Sequence, residues 1–269
     1  MTETGLCRAR QPDVASDNLG CMTRGTPEIK RIAMWSGPRN LSTALMRSFG
    51  NRGDTRVLDE PFYAHYLRVT GLEHPGREEV LAHHDSDWQR VALSLHAPLP
   101  TGCRVHYQKH MAHHLLPGMS ADWLQGLTHA FLLRNPTDML RSLSTKLETV
   151  RLEDTGLPQQ IDIFERLSRH TGRRPPVIDA DELLDDPQGM LKRLCDALEI
   201  PFDPAMLSWP AGKRDTDGVW AKYWYDSVER STCFTRWQRD NDALSPALVE
   251  IERAARPLYD ALFHFRLRP

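Results

Sequence analysis

Short β-prone runs alternate with stretches of helical periodicity along most of this sequence. The first run, Ile29–Trp35, ends at a Ser-Gly-Pro turn, and apolar residues at helical spacing follow from Ser42 to Phe49. The same reasoning predicts further strands at Arg56–Asp59, Arg104–Gln108, Thr128–Leu133 and Pro176–Asp179, and helices that begin at Pro136 and cover Gln188–Leu198 and Pro246–Phe263. This alternation predicts a single α/β domain with a mainly parallel sheet flanked by helices on both faces.

Length and composition agree with one globular domain. The chain has 269 residues, a length that can bury a full core. Hydrophobic residues make up 40% and charged residues 26%, as is typical of a globular protein. Residues 1–27 are polar and lack the apolar stretch of a signal peptide, so we interpret them as a flexible leader before a domain at residues 28–269.

Net charge and cysteine content indicate which partners and which cellular compartment to expect for this protein. The net charge of −2 argues against a general nucleic-acid binder, and no apolar run approaches the roughly 20 residues that span a bilayer. The 5 cysteines are scattered and form no CxxC pair, which favours reduced thiols in a cytoplasmic protein. We therefore expect neither nucleic acid nor membrane as a partner.

The segment between the first strand and the first helix, residues 35–43 (WSGPRNLST), has the character of an anion-binding loop. A strand-to-helix turn presents free backbone N–H groups and the positive end of a helix. Arg39 adds a permanent positive charge, and Ser42 and Thr43 add hydroxyl donors. The alternative is an ordinary turn with a serine cap. The segment lacks the lysine and second glycine of G-x-x-x-x-G-K-S/T, which disfavours magnesium-dependent phosphoryl transfer.

A second candidate phosphate site follows the fourth predicted strand. Arg134 lies where that strand ends, and Ser142 lies in the next helix, which Asn135 is predicted to cap. An arginine at the carboxyl edge of a strand, close to a helix start, can contact a phosphate in bidentate fashion. A surface arginine and a helical serine are common separately, but the combination with the first loop favours a phosphorylated ligand.

Three segments resemble motifs of the family of sulfotransferases that use 3′-phosphoadenosine-5′-phosphosulfate (PAPS). Residues 38–43 resemble its 5′-phosphosulfate loop, P-K/R-S-G-S/T-T, with Leu41 in place of the usual glycine. Residues 134–142 are similar to its 3′-phosphate motif, R-N-P-x-D-x-x-x-S, and residues 179–202 to a later strand–helix segment. The resemblance is greatest to a subgroup that also carries the label aminotransferase-like, although no lysine here stands in a pyridoxal-phosphate context.

The resemblance implies a P-loop-like fold and transfer of a sulfuryl group from PAPS, as co-substrate, to a hydroxyl or amine of a small-molecule acceptor, with no metal. The donor-binding residues that it implies are Pro38, Arg39, Asn40, Leu41, Ser42, Thr43, Arg134 and Ser142. A looser similarity of residues 213–222 to a late family loop adds Lys213, Arg214 and Trp220. Candidates for an apolar acceptor pocket are Phe62, Tyr63, Tyr66, Trp88 and Trp123.

The resemblance also suggests the catalytic groups. Arg39 is expected to stabilise the leaving phosphate. Residues 108–117 (QKHMAHHLLP) resemble the family stretch K-T-H-L-P-x-x-L-L-P, which makes His110 the first candidate for the general base, since a histidine is basic near neutral pH. Glu60 is the rival, because carbohydrate sulfotransferases have a glutamate base in a similar location, although Glu60 could instead be a structural partner of Arg39.

Other interpretations stay open at this point. His106, His110, His113 and His114 raise the idea of a metal site, but no nearby cysteine or aspartate completes a ligand set. A P-loop-like nucleotide kinase and a non-catalytic module that binds an adenosine bisphosphate are the alternative functions. The sequence specifies neither the acceptor nor the oligomeric state.

Overall fold

The computed structural model describes residue 1, residues 29–236 and residues 243–269. The predicted leader at residues 1–27 therefore lies, apart from Met1, outside the described residues. Five parallel strands form one sheet in the order β2-β3-β1-β4-β5. The strands are β1 (Lys30–Ser36), β2 (Thr55–Asp59), β3 (Val105–Met111), β4 (Thr128–Leu133) and β5 (Val177–Asp179). The predicted parallel α/β sheet is confirmed.

Helices follow the strands and cover the sheet. Those in the first half of the chain are α1 (Ser42–Gly50), α2 (Tyr63–Thr70), α3 (Arg77–His83), α4 (Trp88–Ser94) and α5 (Pro136–Ser144). Those in the second half are α6 (Leu157–Thr171), α7 (Ala180–Asp185), α8 (Pro187–Ala197), α9 (Ala221–Trp224), α10 (Asp226–Glu229) and α11 (Pro246–Phe263). No described helix combines the length and the apolar character needed to cross a membrane.

The core is divided by the sheet, and β1 shows how. Ile32 and Met34 are buried together with residues of α1, α7 and α8. Ala33 and Trp35 are buried together with residues of α5, α6 and α11. Because successive side chains of a strand point to opposite faces, this alternation gives each face its own layer of helices, as predicted. Trp35 is thus a core residue.

Strand β3 is longer than predicted, and this difference matters for the site. The apolar pattern indicated a strand that ends at Gln108, whereas β3 continues to Met111, paired with β1 on one side and β2 on the other. Lys109 and His110 therefore belong to a strand rather than to a loop after it. Their side chains must point to opposite faces of the sheet.

Helix α5 begins as its sequence indicates. Pro136 occupies its first turn, and the Asn135 side chain accepts a hydrogen bond from the backbone nitrogen of Thr137 at 3.1 Å. This cap fixes the direction in which the chain leaves β4. The helix consequently starts at the carboxyl edge of the sheet, beside the loop that follows β1.

Candidate active site

A cavity of about 500 Å³ lies at the carboxyl edge of the sheet. This is the crevice in which open parallel sheets bind their ligands, where the connections from the central strand and its neighbours diverge. The predicted donor-binding and catalytic residues that line it are Pro38, Arg39, Leu41, Ser42, Thr43, Glu60, Arg134, Ser142 and Trp220. The cavity thus brings together residues from the ends of β1, β2 and β4 and from the late part of the chain.

Arg39 connects the two predicted phosphate-binding segments. Its Nε donates to Ser142 Oγ at 2.9 Å, and its Nη1 donates to the carbonyl of Trp224 at 3.2 Å. Its own carbonyl accepts from Arg134 Nη1 at 2.5 Å. Burial lowers the pKa of Arg39, with Asp226 opposing the change, but a guanidinium keeps its charge in a protein. A permanent cation therefore faces the cavity between the loop and α5.

The loop backbone keeps the shape that a glycine would adopt easily. Leu41 has φ 67° and Arg39 has φ 60°, both in the left-handed region. For a residue other than glycine this conformation costs roughly 1–2 kcal/mol. The loop therefore turns at Leu41 although this residue is not a glycine. Asn40 is buried within the loop and does not line the cavity.

Glu60 belongs to a buried network centred on Lys109. The ammonium of Lys109 donates to Glu60 Oε1 at 2.6 Å, to Asp59 Oδ1 at 2.9 Å and to Tyr225 Oη at 2.6 Å. Tyr225 Oη donates to Asp59 Oδ2 at 2.6 Å and accepts from Trp220 Nε1 at 3.1 Å. All three donors of the lysine are used, and its side chain is only 1% exposed.

The charged groups in this network shift one another's pKa values. Burial raises the pKa of Glu60; the Lys109 cation opposes this, and the Asp59 anion adds to it. Burial also disfavours the Lys109 ammonium, yet Asp59 and Glu60 outweigh burial and raise the pKa of Lys109. The backbone nitrogen of Glu60 donates to the carbonyl of Lys109 at 3.0 Å, which holds the carboxylate against the end of β3. Glu60 is thus a fixed carboxylate at the cavity with a raised pKa.

His110 lies on the other side of the sheet. Its ring packs against Trp35 at 4.7 Å, and its Nε2 is 3.1 Å from Gln108 Oε1. Burial lowers the pKa of His110 to about 3, and the residue does not line the cavity. The expectation that His110 is the base therefore finds no support, because β3 extends past it and turns its side chain away from Lys109 and Met111.

The late basic residues are also not brought to the cavity. Lys213 is exposed, and Arg214 Nη1 donates to the carbonyl of Lys213 at 3.0 Å. Of the three residues predicted from this segment, only Trp220 lines the cavity. The chain that follows Trp220 contributes more. Its cavity-lining residues are Trp224, Tyr225, Ser227, Val228, Ser231, Cys233, Phe234, Thr235 and Arg236.

Aromatic and imidazole rings form another part of the wall. Tyr63 and Tyr66 line the cavity, as proposed for the acceptor pocket, whereas Phe62 and Trp123 pack near His110 instead. Three histidines, His74, His113 and His114, also line the cavity. The sequence had suggested His113 and His114 only as metal ligands and had not singled out His74. The ring of His114 stacks on those of both tyrosines, with centroids 4.9 and 4.7 Å apart.

Burial disfavours the protonated form of the histidines that line the cavity. Burial lowers the pKa of His113 to about 3 and that of His114 well below its ordinary value. Among the described residues, no group of three or more His, Cys, Asp or Glu side chains is arranged to hold a metal ion.

Comparison with known proteins identifies related sequences and folds. The model of the sulfotransferase domain matches residues 30–265. Branched-chain-amino-acid aminotransferase-like proteins 1 and 2 of Arabidopsis thaliana are 38% and 36% identical over 88% and 86% of this chain. The chain spans only 42% and 41% of their lengths, so more than half of each relative lies outside the match.

Solved structures share the fold. A sulfotransferase from Alicyclobacillus acidocaldarius superposes with a TM-score of 0.53 at 15% identity, covering 88% of this chain and 97% of that one. A sulfotransferase domain from the curacin biosynthetic pathway gives a TM-score of 0.50 at 16% identity, covering 86% and 99%. At these identities the likeness concerns the fold alone.

Proposed function

Because the chain belongs to the sulfotransferase domain family, we propose that it transfers a sulfuryl group from PAPS to a hydroxyl or amine of a small-molecule acceptor. The observation that carries this proposal is the meeting of the two predicted phosphate-binding segments at one cavity, where Arg39 Nε lies 2.9 Å from Ser142 Oγ. A ligand with phosphates at both ends of a nucleoside suits two such segments. No acceptor is implied by the names of the relatives.

Each segment has a distinct part in holding the donor. The start of α1, with Ser42 and Thr43, offers hydroxyl and backbone donors to the 5′-phosphosulfate, and Arg39 supplies the cation. Arg134 and Ser142 are the proposed contacts of the 3′-phosphate. When bound, PAPS supplies a sulfuryl group on a phosphate leaving group. Arg39 stabilises the charge that grows on that phosphate as the sulfur–oxygen bond breaks.

Glu60 is the proposed general base. Its carboxylate is fixed at the cavity by Lys109, and burial raises its pKa toward the range where it can accept a proton near neutral pH. As the acceptor oxygen or nitrogen forms its bond to sulfur, the proton on that atom passes to Glu60. His110 has no part in this step, since it lies outside the cavity.

The donor site is tested by calorimetric titration with adenosine 3′,5′-bisphosphate, AMP, and ATP with magnesium. We expect the bisphosphate to bind at least about tenfold more tightly than AMP, because the 3′-phosphate adds charge-assisted hydrogen bonds. Arg39→Ala should weaken this binding, and Arg56→Ala, which changes an exposed arginine of β2, should not. A preference for ATP with magnesium would mean a kinase-like function and would refute the proposal.

Catalysis is tested with PAPS and a panel of phenols, alcohols and amines. Glu60→Gln should lower kcat by about 10²–10⁴, whereas folded His110→Gln should retain most of it. If the wild-type protein bound the bisphosphate but transferred sulfuryl to no acceptor in the panel, the result would favour the non-catalytic binding module. Full activity of Glu60→Gln would remove Glu60 from the mechanism.

A further inference from the structure

The two carboxylates that contact Lys109 have different surroundings. Glu60 is 12% exposed and lines the cavity. Asp59 is 2% exposed and is enclosed by three donors, because it accepts from Lys109, from Tyr225 Oη at 2.6 Å and from the backbone nitrogen of Gly218 at 3.3 Å. Only Glu60 is therefore placed to meet a ligand, while Asp59 faces the protein interior.

This asymmetry leads to an assignment for Asp59. We propose that Asp59 is a positioning residue that serves as the permanent counterion of Lys109 and so leaves Glu60 free to exchange a proton with the acceptor. The inference rests on the proposed function, in which Glu60 is the base. It adds that Asp59, a neighbouring residue that does not touch the acceptor, allows Glu60 to act as a base.

The argument is one of charge. With both carboxylates ionised, the three side chains Asp59, Glu60 and Lys109 carry one net negative charge. When Glu60 takes the acceptor proton, Lys109 and Asp59 remain as a neutral pair at 2.9 Å. The buried cluster then contains no unpaired charge. An unpaired charge at this depth would be strongly unfavourable. Without Asp59, protonation of Glu60 would strand the Lys109 ammonium, so Glu60 would be held as its ion-pair partner and would be a poor base.

Other titratable groups surround this cluster from several elements. Those that line the cavity with Glu60 are Arg39, Tyr63, Tyr66, His74, His113, His114, Arg134, Asp154, Tyr225, Cys233 and Arg236. Those that sense the charge of Asp59 from other directions are His84 and Tyr107. These groups stay the same in variants of Asp59 and Lys109. A comparison of such variants therefore isolates the effect of the two charges on Glu60.

The test compares Asp59→Asn with Lys109→Met. The acid limb of the kcat profile, below which Glu60 holds its proton, should move to lower pH by about one unit in Asp59→Asn, because one negative charge is lost and Lys109 remains. The limb should move to higher pH in Lys109→Met, because the cation is lost and Asp59 remains. The inference predicts that the acid limbs of the two variants move in opposite directions. A merely structural defect would lower kcat without moving the acid limb of one variant to lower pH and that of the other to higher pH. Asp87→Asn, at the N-terminus of α4, is the control and should leave the profile unchanged.

A second measurement keeps the inference separate from the proposed function. Infrared difference titration of wild-type protein against Glu60→Gln reports the protonation of the Glu60 carboxyl without any acceptor. A downward shift of this titration in Asp59→Asn supports the inference even if no sulfuryl transfer is found, in which case the proposed function alone fails. No shift, or an upward shift, overturns the role of Asp59. If Lys109→Met does not fold, as judged by circular dichroism, the direction found for Asp59→Asn decides the question.

Discussion

Arg39 and Ser142 are 103 residues apart in sequence, yet Arg39 Nε donates to Ser142 Oγ at 2.9 Å. The contact exists because β1 and β4 are neighbours in the middle of the sheet and both chains turn into helices at the same edge. The loop after β1 and the first turns of α5 therefore meet over one cavity. This junction is where the two ends of a nucleotide donor are expected to bind.

The first prediction concerns the serine of this junction. Ser142→Ala should weaken binding of adenosine 3′,5′-bisphosphate by about tenfold or more, because a hydrogen bond to a charged group contributes roughly 1.5–3 kcal/mol. The affinity for AMP should change much less, as should kcat at saturating donor. Ser144→Ala is the matched control, since Ser144 is exposed and its hydroxyl donates to the carbonyl of Arg141. Calorimetry decides the outcome, and equal losses for both nucleotides would contradict the 3′-phosphate assignment.

The second prediction concerns the close approach at Gly37. A Cβ atom at this position would lie 2.1 Å from the carbonyl oxygen of Thr155, which is backbone and cannot swing aside. Gly37→Ala should therefore lower the free energy of unfolding by about 1–3 kcal/mol and weaken bisphosphate binding, because the loop must shift.

Gly53 provides the control for this substitution. A Cβ atom there meets nothing within 4 Å, so Gly53→Ala should change the free energy of unfolding by less than about 0.5 kcal/mol. Urea denaturation measures both variants. Equal stability of the two alanine variants would show that the loop does not pack against Thr155 as described.

The third prediction concerns the ion pair that ties the late part of the chain to α1. Arg47 Nη1 and Nη2 donate to the two oxygens of Asp217 at 2.5 and 2.7 Å, and the side chains are 3% and 5% exposed. Asp217→Ala should lower the free energy of unfolding by about 3–5 kcal/mol, since it leaves a buried guanidinium unpaired. Glu250→Ala, which breaks the exposed pair with Arg253, should cost less than about 1 kcal/mol. Similar losses in urea denaturation would contradict the burial of the first pair.

The fourth prediction uses the pH dependence of stability. Burial lowers the pKa of His110 to about 3, below the value of about 6.5 that a histidine has in the unfolded chain. Between these values the unfolded state binds the extra proton, so the contribution of His110 to stability is complete above pH 6.5 and is lost as the pH falls. Between pH 6 and pH 4, the free energy of unfolding should depend on pH more steeply in the wild type than in His110→Gln. The difference in slope should correspond to about one proton, or about 1.4 kcal/mol per pH unit. Parallel slopes in denaturation at several pH values would show that His110 is not buried in its neutral form.

Much of the fold follows from local patterns. The helix Pro246–Phe263 has the predicted bounds, and α5 begins at the predicted Pro136 with the Asn135 cap. The five strands lie where β-prone runs were found, because alternating apolar residues and turn signals act over a few neighbouring residues. The order of motifs also predicted the positions of the two candidate phosphate-binding loops, since each stands directly after a strand and before a helix.

The proposed base, Glu60, could not be preferred to His110 in the same way. The apolar pattern of β3 ends at Gln108, and the next three residues, Lys109, His110 and Met111, look like the beginning of a loop. They are a strand because β1 and β2 pair with β3 from both sides. That pairing directs His110 into the core and Lys109 toward Glu60.

The sequence by itself determined where strands, helices and the candidate anion-binding loops begin, because caps, turns and periodicity depend on residues close together in the chain. Only the tertiary structure decided which side chains face the cavity. The face of a strand residue depends on where strand pairing ends. A buried lysine in that strand is tolerated only because folding brings Asp59, Glu60 and Tyr225 to it from distant parts of the chain. Non-local pairing and the compensation of buried charge thus select the residues of the site.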